Sequence, residues 1–392
     1  MRIVPMVSVV GLLAIFTVCP TVYPAFADKG RIVEDVVYAT SLEGNMLGTD
    51  PNQPFQIYLP PGYDGGDRHY PTVYLLDRAV RNDIDTWAPL SPLADKLISD
   101  GTIPPTILVM PNGSNILGHT FFANSPVIGD WTRYLAVDLV QYVETHYRAM
   151  KTSASRGVFG IASGGTGALE VAFHFPEVFS QVYAWSPFAI HWPFAIASFD
   201  GLGPESPVYQ LHLAEENYHT IADWASAPTQ VSPMLITFGQ IWAPEVDNPP
   251  LYMSHVSSIK NEKVVVDFTH LLFTRPMTLL NRTPNLVPNI KRLRQIGFAS
   301  GLADFNSDPT PQHNLEALAE VLRDSDVRFE FLEHDGDDAT ELLWEWALAD
   351  VVLPFMADGF TEVNSGVSAN SWGEVKREKV HIRRNRTSSD GN

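Results

Sequence analysis

"RGVFGIASGGTGALEVAFHFPEVFSQVYAWSP", residues 156–187, decides the fold. "GVFGIA" is a continuous apolar run of strand length, "SGGTG" supplies the small residues of a sharp turn, "GALEVAFHF" has helical spacing, and "SQVYAWSP" is a second apolar strand. A strand, a turn, a helix and a strand in that order form one unit of a parallel sheet.

The same alternation extends in both directions. Upstream, "PFQIYLP" and "PTVYLLD" are β-branched and aromatic runs, "TILVMPN" is an apolar strand closed by turn formers, and "RYLAVDLVQYVETHYRA" has helical spacing. Downstream come the strand in "RLRQIGFASGLAD", a helix through "HNLEALAEVLRD", the strand "VRFEFLE" and a last helix through "LLWEWALADVVLPFM". Repeating strand and helix predict an α/β architecture, with a mostly parallel sheet and helices on both faces, over residues 28–360. From about Phe188 to Asn289 the regularity fades into a stretch rich in Trp, Pro and His. An insertion of this size, about 188–290, is expected to form a cap over the carboxyl ends of the strands; the alternative is a solvent-facing decoration.

Composition excludes several classes. A chain of 392 residues that is 45% hydrophobic and 18% charged buries a large core. Its formal net charge of −19 argues against a nucleic-acid partner, because a phosphate backbone demands a basic surface. Residues 1–27 read as a signal peptide: Met1 and Arg2 give a basic start, "VSVVGLLAIFTVC" is too short to span a bilayer, and Ala25-Phe26-Ala27 fits a cleavage site. The expected mature chain starts near Asp28 and is secreted or periplasmic, with no later membrane span. Cys19, the one cysteine, falls inside the signal, so the mature chain has no disulfide or thiol chemistry. Residues 361–392 form a polar tail expected to be disordered.

Several landmarks in order carry a family resemblance: "IYLPPGY", "YPTVYLLDRAVRNDIDTW", "ILVMPNGS", the turn with "HFPEVFSQVYAWSP", "GLADF...NLEALAEVL", and a Trp-bearing terminal helix. From about Phe55 to Phe355 the chain resembles the Putative esterase family of α/β-hydrolases, which includes S-formylglutathione hydrolases, siderophore and feruloyl esterases and mycolyltransferase antigens. The resemblance implies an α/β-hydrolase fold, a serine nucleophile on a G-x-S-x-G elbow, and an acid and a histidine later in the chain.

This chain departs from that pattern. The small residues flanking the elbow are Gly160 and Gly164, which puts Ala162 at the nucleophile position and Ser163 one residue later. Making Ser163 the nucleophile would place Ile161 where a glycine is wanted, although Gly165 suits the other side. Asp304 in "SGLADF" matches the acid. The G-x-H pattern ahead of the last helix reads Gly336-Asp337-Asp338, so Asp338 stands at the histidine position, with His334 upstream as an alternative base. By resemblance, the backbone N–H groups of Ala79 and Ser163 form the oxyanion hole, which is independent of side-chain identity.

Three functional classes follow. The first is a non-catalytic protein that binds a small-molecule, acyl or ester-like ligand, favoured by Ala162 and Asp338. The second is an active carboxylic-ester hydrolase or acyltransferase using Ser163 with His334. The third is a non-hydrolytic enzyme using Asp304 and Asp338 as acid and base. No cofactor is expected, and two carboxylates at this separation are no metal-ligand motif.

Overall fold

The computed structural model describes residues 29–77, 89–118, 120–187, 200–214, 218–226, 231–255, 257–267, 278–301, 310–334 and 345–365. Eight strands form one sheet: β1 Arg31–Tyr38, β2 Asn52–Leu59, β3 Thr72–Leu76, β4 Ile107–Pro111, β5 Arg156–Ile161, β6 Gln181–Trp185, β7 Gln295–Gly301 and β8 Glu330–His334. Their spatial order is β1-β2-β4-β3-β5-β6-β7-β8. β2 runs antiparallel to β1 and to β4, while every pairing from β4 through β3, β5, β6 and β7 to β8 is parallel.

The central strands are apolar without a break because both faces are covered. β3, β4, β5 and β6 are buried at every residue. Alternate residues point to opposite faces, so Val73 and Leu75 join one core cluster with Phe159, Ile161, Tyr183 and Trp185, while Tyr74 and Leu76 join the other with Val158, Val182 and Ala184. The first cluster is closed by α1, Leu90–Ser99, and by the terminal helix, through Leu97, Leu348, Val352 and Met356. On the other face lie α2, a continuous helical segment over 131–146, and α3, Ser163–His174.

The stretch read as irregular contains regular elements: α4 Pro207–Ala214, α5 Ile221–Ala225, α6 Val231–Trp242, an antiparallel pair of strands Ser257–Lys260 and Lys263–Val266, and α7 Leu279–Ile290. None of them is read from the sequence, and for two of the helices the reason is identifiable. α5 is shorter than two turns, and α7 carries Pro284 and Pro288 in its interior, where proline normally signals a break. Phe238 and Trp242 of α6 pack on Phe121 with ring centroids 4.8 and 6.2 Å apart, and α7 lies against α3. The last helices are α8, Thr310–Asp324, and α9, Leu353–Ser365, the latter continuing a π-helical stretch Ala347–Val352. Strand β8 begins at Glu330, later than the run "VRFEFLE" suggests. Among the described residues no helix is long and apolar enough to cross a membrane.

Candidate functional site

One residue, Ala162, separates the end of β5 from the start of α3. It has φ 50° and ψ −117°, a conformation that strains any residue with a Cβ by about 1–3 kcal/mol. Ser163 is already the first residue of the helix. The strain persists because the surroundings impose it. Ala162 donates its N–H to the Trp185 carbonyl at 2.9 Å, and its own carbonyl accepts from Thr166 N–H at 3.2 Å as the first turn of α3. The two flanking glycines are sterically required. A Cβ on Gly160 would overlap the backbone carbonyl of Gly164, and one on Gly164 would overlap the carbonyls of Leu76 and Asp77 at the end of β3. Backbone atoms on both sides leave no side chain to move aside.

The Ala162 side chain is half-buried and packs against the cluster that contains Ile161 and Trp185. It offers only a methyl group at the turn, and a methyl has no lone pair with which to attack a carbonyl or bind a metal. Ser163 is buried, 6% exposed.

His334 is the last residue of β8, in register with Gly301 of β7, and is fully buried. Its ring stacks on Trp185 with centroids 4.9 Å apart and planes 27° from parallel, and Trp346 meets both rings edge-on. Trp185 therefore touches both candidate regions: its carbonyl holds Ala162 and its indole covers His334. Sequence reasoning missed this tryptophan, whose only signal was its place at the end of an apolar strand. Ser186, the next residue, has φ 41° and donates its N–H to Ala299 O at 2.8 Å, a second strained position at the carboxyl end of the sheet. Ala79, Asp304 and Asp338 lie outside the described residues; β7 ends at Gly301, three residues before Asp304.

A polar cluster lies along α3, beyond the elbow. Glu170 is buried and pairs with Arg282 of α7, while His174 Nδ1 lies 2.8 Å from the Glu170 carbonyl and 3.4 Å from its carboxylate. These groups border a cavity of about 110 Å³ whose other wall includes Phe121 and Trp242. Nothing in the sequence pairs Glu170 with a residue 112 positions away. Among the described residues no group of three or more His, Cys, Asp or Glu side chains is placed to hold a metal ion.

Residues 47–244 match the sequence profile of the family described as Putative esterase, which covers half of the chain. The chain belongs to that family. Solved esterase structures share the fold. A ferulic acid esterase superposes with a TM-score of 0.55 at 16% identity, over 85% of this chain and 100% of that one. An S-formylglutathione hydrolase from Agrobacterium tumefaciens gives 0.51 at 15% identity, over 85% and 96%. The apoenzyme of an S-formylglutathione hydrolase from Staphylococcus aureus gives 0.50 at 14% identity, over 84% and 100%. Identity at this level carries the architecture, an α/β-hydrolase fold, and nothing finer. In α/β-hydrolases generally, a strand-to-helix elbow of the G-x-S-x-G kind is where a nucleophile is held.

Proposed function

We propose that this esterase-family chain is an exported protein that has lost serine-dependent hydrolysis and acts by binding a small acyl or ester-like ligand in the inherited site. The observation that carries the reading is Ala162 at φ 50° in the elbow. A nucleophile there needs an oxygen or sulfur, and the methyl supplies neither. Asp338 in place of the expected histidine supports the same reading, since a carboxylate does not accept a serine proton at neutral pH and return it to a leaving group as imidazole does. Loss of triad members costs on the order of 10⁴ to 10⁶ in rate, while the backbone donors at the N-terminal end of α3 retain their attraction for a carbonyl oxygen. Export rests on residues 1–27, with a mature chain beginning near Asp28.

The test restores what is missing. Ala162→Ser combined with Asp338→His is expected to gain hydrolysis of short p-nitrophenyl esters, and either change alone is expected to gain little, because nucleophile and base act as a unit. No gain in the folded double variant would mean that the acid or the oxyanion donors have been lost as well. Full activity in the unmodified protein would refute the reading. A second reading, hydrolysis by Ser163 with His334 as base, draws on the stacking of His334 against Trp185, one strand from the elbow. Against it stand the complete burial of His334 and the helical position of Ser163.

A further inference from the structure

Three arginines meet on two tyrosine rings at the amino ends of the parallel strands. Tyr70 lies just before β3, whereas the elbow lies just after β5, which runs parallel to β3, so this cluster stands apart from the reading above. The rings of Tyr63 and Tyr70 stack with centroids 5.5 Å apart and planes 28° from parallel. The Arg148 guanidinium lies 4.1 Å from the Tyr63 centroid, that of Arg31 lies 6.0 Å from the same centroid, and that of Arg68 lies 5.5 Å from the centroid of Tyr70. Backbone hydrogen bonds tie the segments together. Tyr70 N–H donates to Arg148 O at 2.8 Å, Met150 N–H donates to Tyr70 O at 2.9 Å, and Arg148 N–H donates to the Tyr63 hydroxyl at 2.9 Å.

Only one of the three charges is matched. Arg31 pairs with Asp64 through contacts of 2.9 and 3.1 Å. Among the described residues neither Arg68 nor Arg148 forms an ion pair, in a chain whose 45 acidic residues outnumber its 26 basic ones. An ion pair holds an arginine and neutralises it, whereas a ring face holds it and leaves its charge available. Both side chains open to solvent. Arg68 is exposed; Arg148 is half-buried, but its guanidinium nitrogens form no hydrogen bond among the described residues and none of them is a buried atom lacking a partner.

Two guanidiniums positioned on one stack and left without carboxylates suit an oxyanion. Guanidinium is planar and weakly hydrated, and its paired N–H groups match phosphate or sulfate oxygens, where an ammonium acts only as a point charge. The net charge of −19 bounds the size of the partner. An extended polyanion would run onto the acidic remainder of the surface, while a small anion meets the local cluster alone. We propose that Arg68 and Arg148, held on the Tyr63–Tyr70 stack, bind a small multivalent oxyanion, a phosphate or sulfate group carried by a small molecule.

The experiment titrates the full mature chain with inorganic pyrophosphate at low ionic strength, read by calorimetry and phosphorus NMR. The expected result is saturable binding with a dissociation constant on the order of 1 mM, weakening as sodium chloride is added. Arg148→Gln is expected to weaken binding about fivefold and Arg68→Gln about threefold, and the double variant is expected to show no saturation. Arg68 is exposed, so its variant tests the proposal even where Arg148→Gln disturbs the fold. Arg133→Gln removes an exposed arginine at the opposite end of α2 and is expected to leave binding unchanged. Absence of saturable binding overturns the proposal. So does binding that is unchanged in Arg68→Gln, or that Arg133→Gln weakens as much as Arg68→Gln does.

Discussion

Ala162 donates its backbone N–H to the carbonyl of Trp185 at 2.9 Å, so the strained residue of the elbow is pinned to the end of the neighbouring strand. The hydrogen bond continues the pairing of Ile161 with Trp185 one residue beyond β5. The strand ladder thus reaches the residue whose backbone must turn, and the glycines on either side leave it one way to do so. The indole of the same tryptophan lies on His334. A single residue of β6 therefore fixes the turn and shields the histidine at the end of β8.

Because Ala162 carries φ 50°, glycine suits the position better than alanine. Ala162→Gly is expected to stabilise the protein by about 1 kcal/mol, and Ser163→Gly, in the first turn of a helix, to destabilise it by about 0.5 kcal/mol. Urea unfolding of both variants checks this. The reverse order would place the strained turn at Ser163.

Arg282 ties α7 to α3 through a carboxylate that is only 9% exposed. Arg282→Met leaves the buried Glu170 carboxylate without its arginine, with His174 Nδ1 at 3.4 Å, and the expected loss is about 2 kcal/mol, discounted because Arg282 is itself a third exposed. Adding Glu170→Gln to Arg282→Met is expected to recover most of that loss. Denaturant midpoints of the single and double variants measure it.

Burial, and then the nearby Asp358, raise the pKa of Glu330 above its ordinary value of 4.5. A raised carboxyl favours the protonated form in the folded state, so its contribution is fully present below the unfolded pKa and is lost as pH rises through the folded one. Glu330→Gln is therefore expected to raise the melting temperature at neutral pH and to give no advantage well below pH 4.5. Melting curves across that range check the sign.

The sheet was legible in the sequence because its strands are buried on both faces. "TVYLL", "ILVMP" and "QVYAW" have no polar alternation to confuse with a surface helix, and each became a strand. The elbow was legible because its constraint is local: only very small residues fit at Gly160 and Gly164, and the spacing singled out Ala162. The insertion was not. Its helices owe their existence to packing, as with α6 against Phe121, and tertiary contacts override the prolines in α7. The grouping of Glu170 with Arg282 joins distant segments, and no periodicity or spacing announces it. Ala79, Asp304 and Asp338 rest on the family pattern alone.

The central claim, that the inherited elbow carries no activated nucleophile, is tested most directly by exposing the purified unmodified protein to a fluorophosphonate probe, which marks only an activated serine oxygen. The expected result is no labelling above that of the heat-denatured protein. Robust labelling that disappears on Ser163→Ala would contradict the account and make this chain an active esterase that uses the residue after the turn.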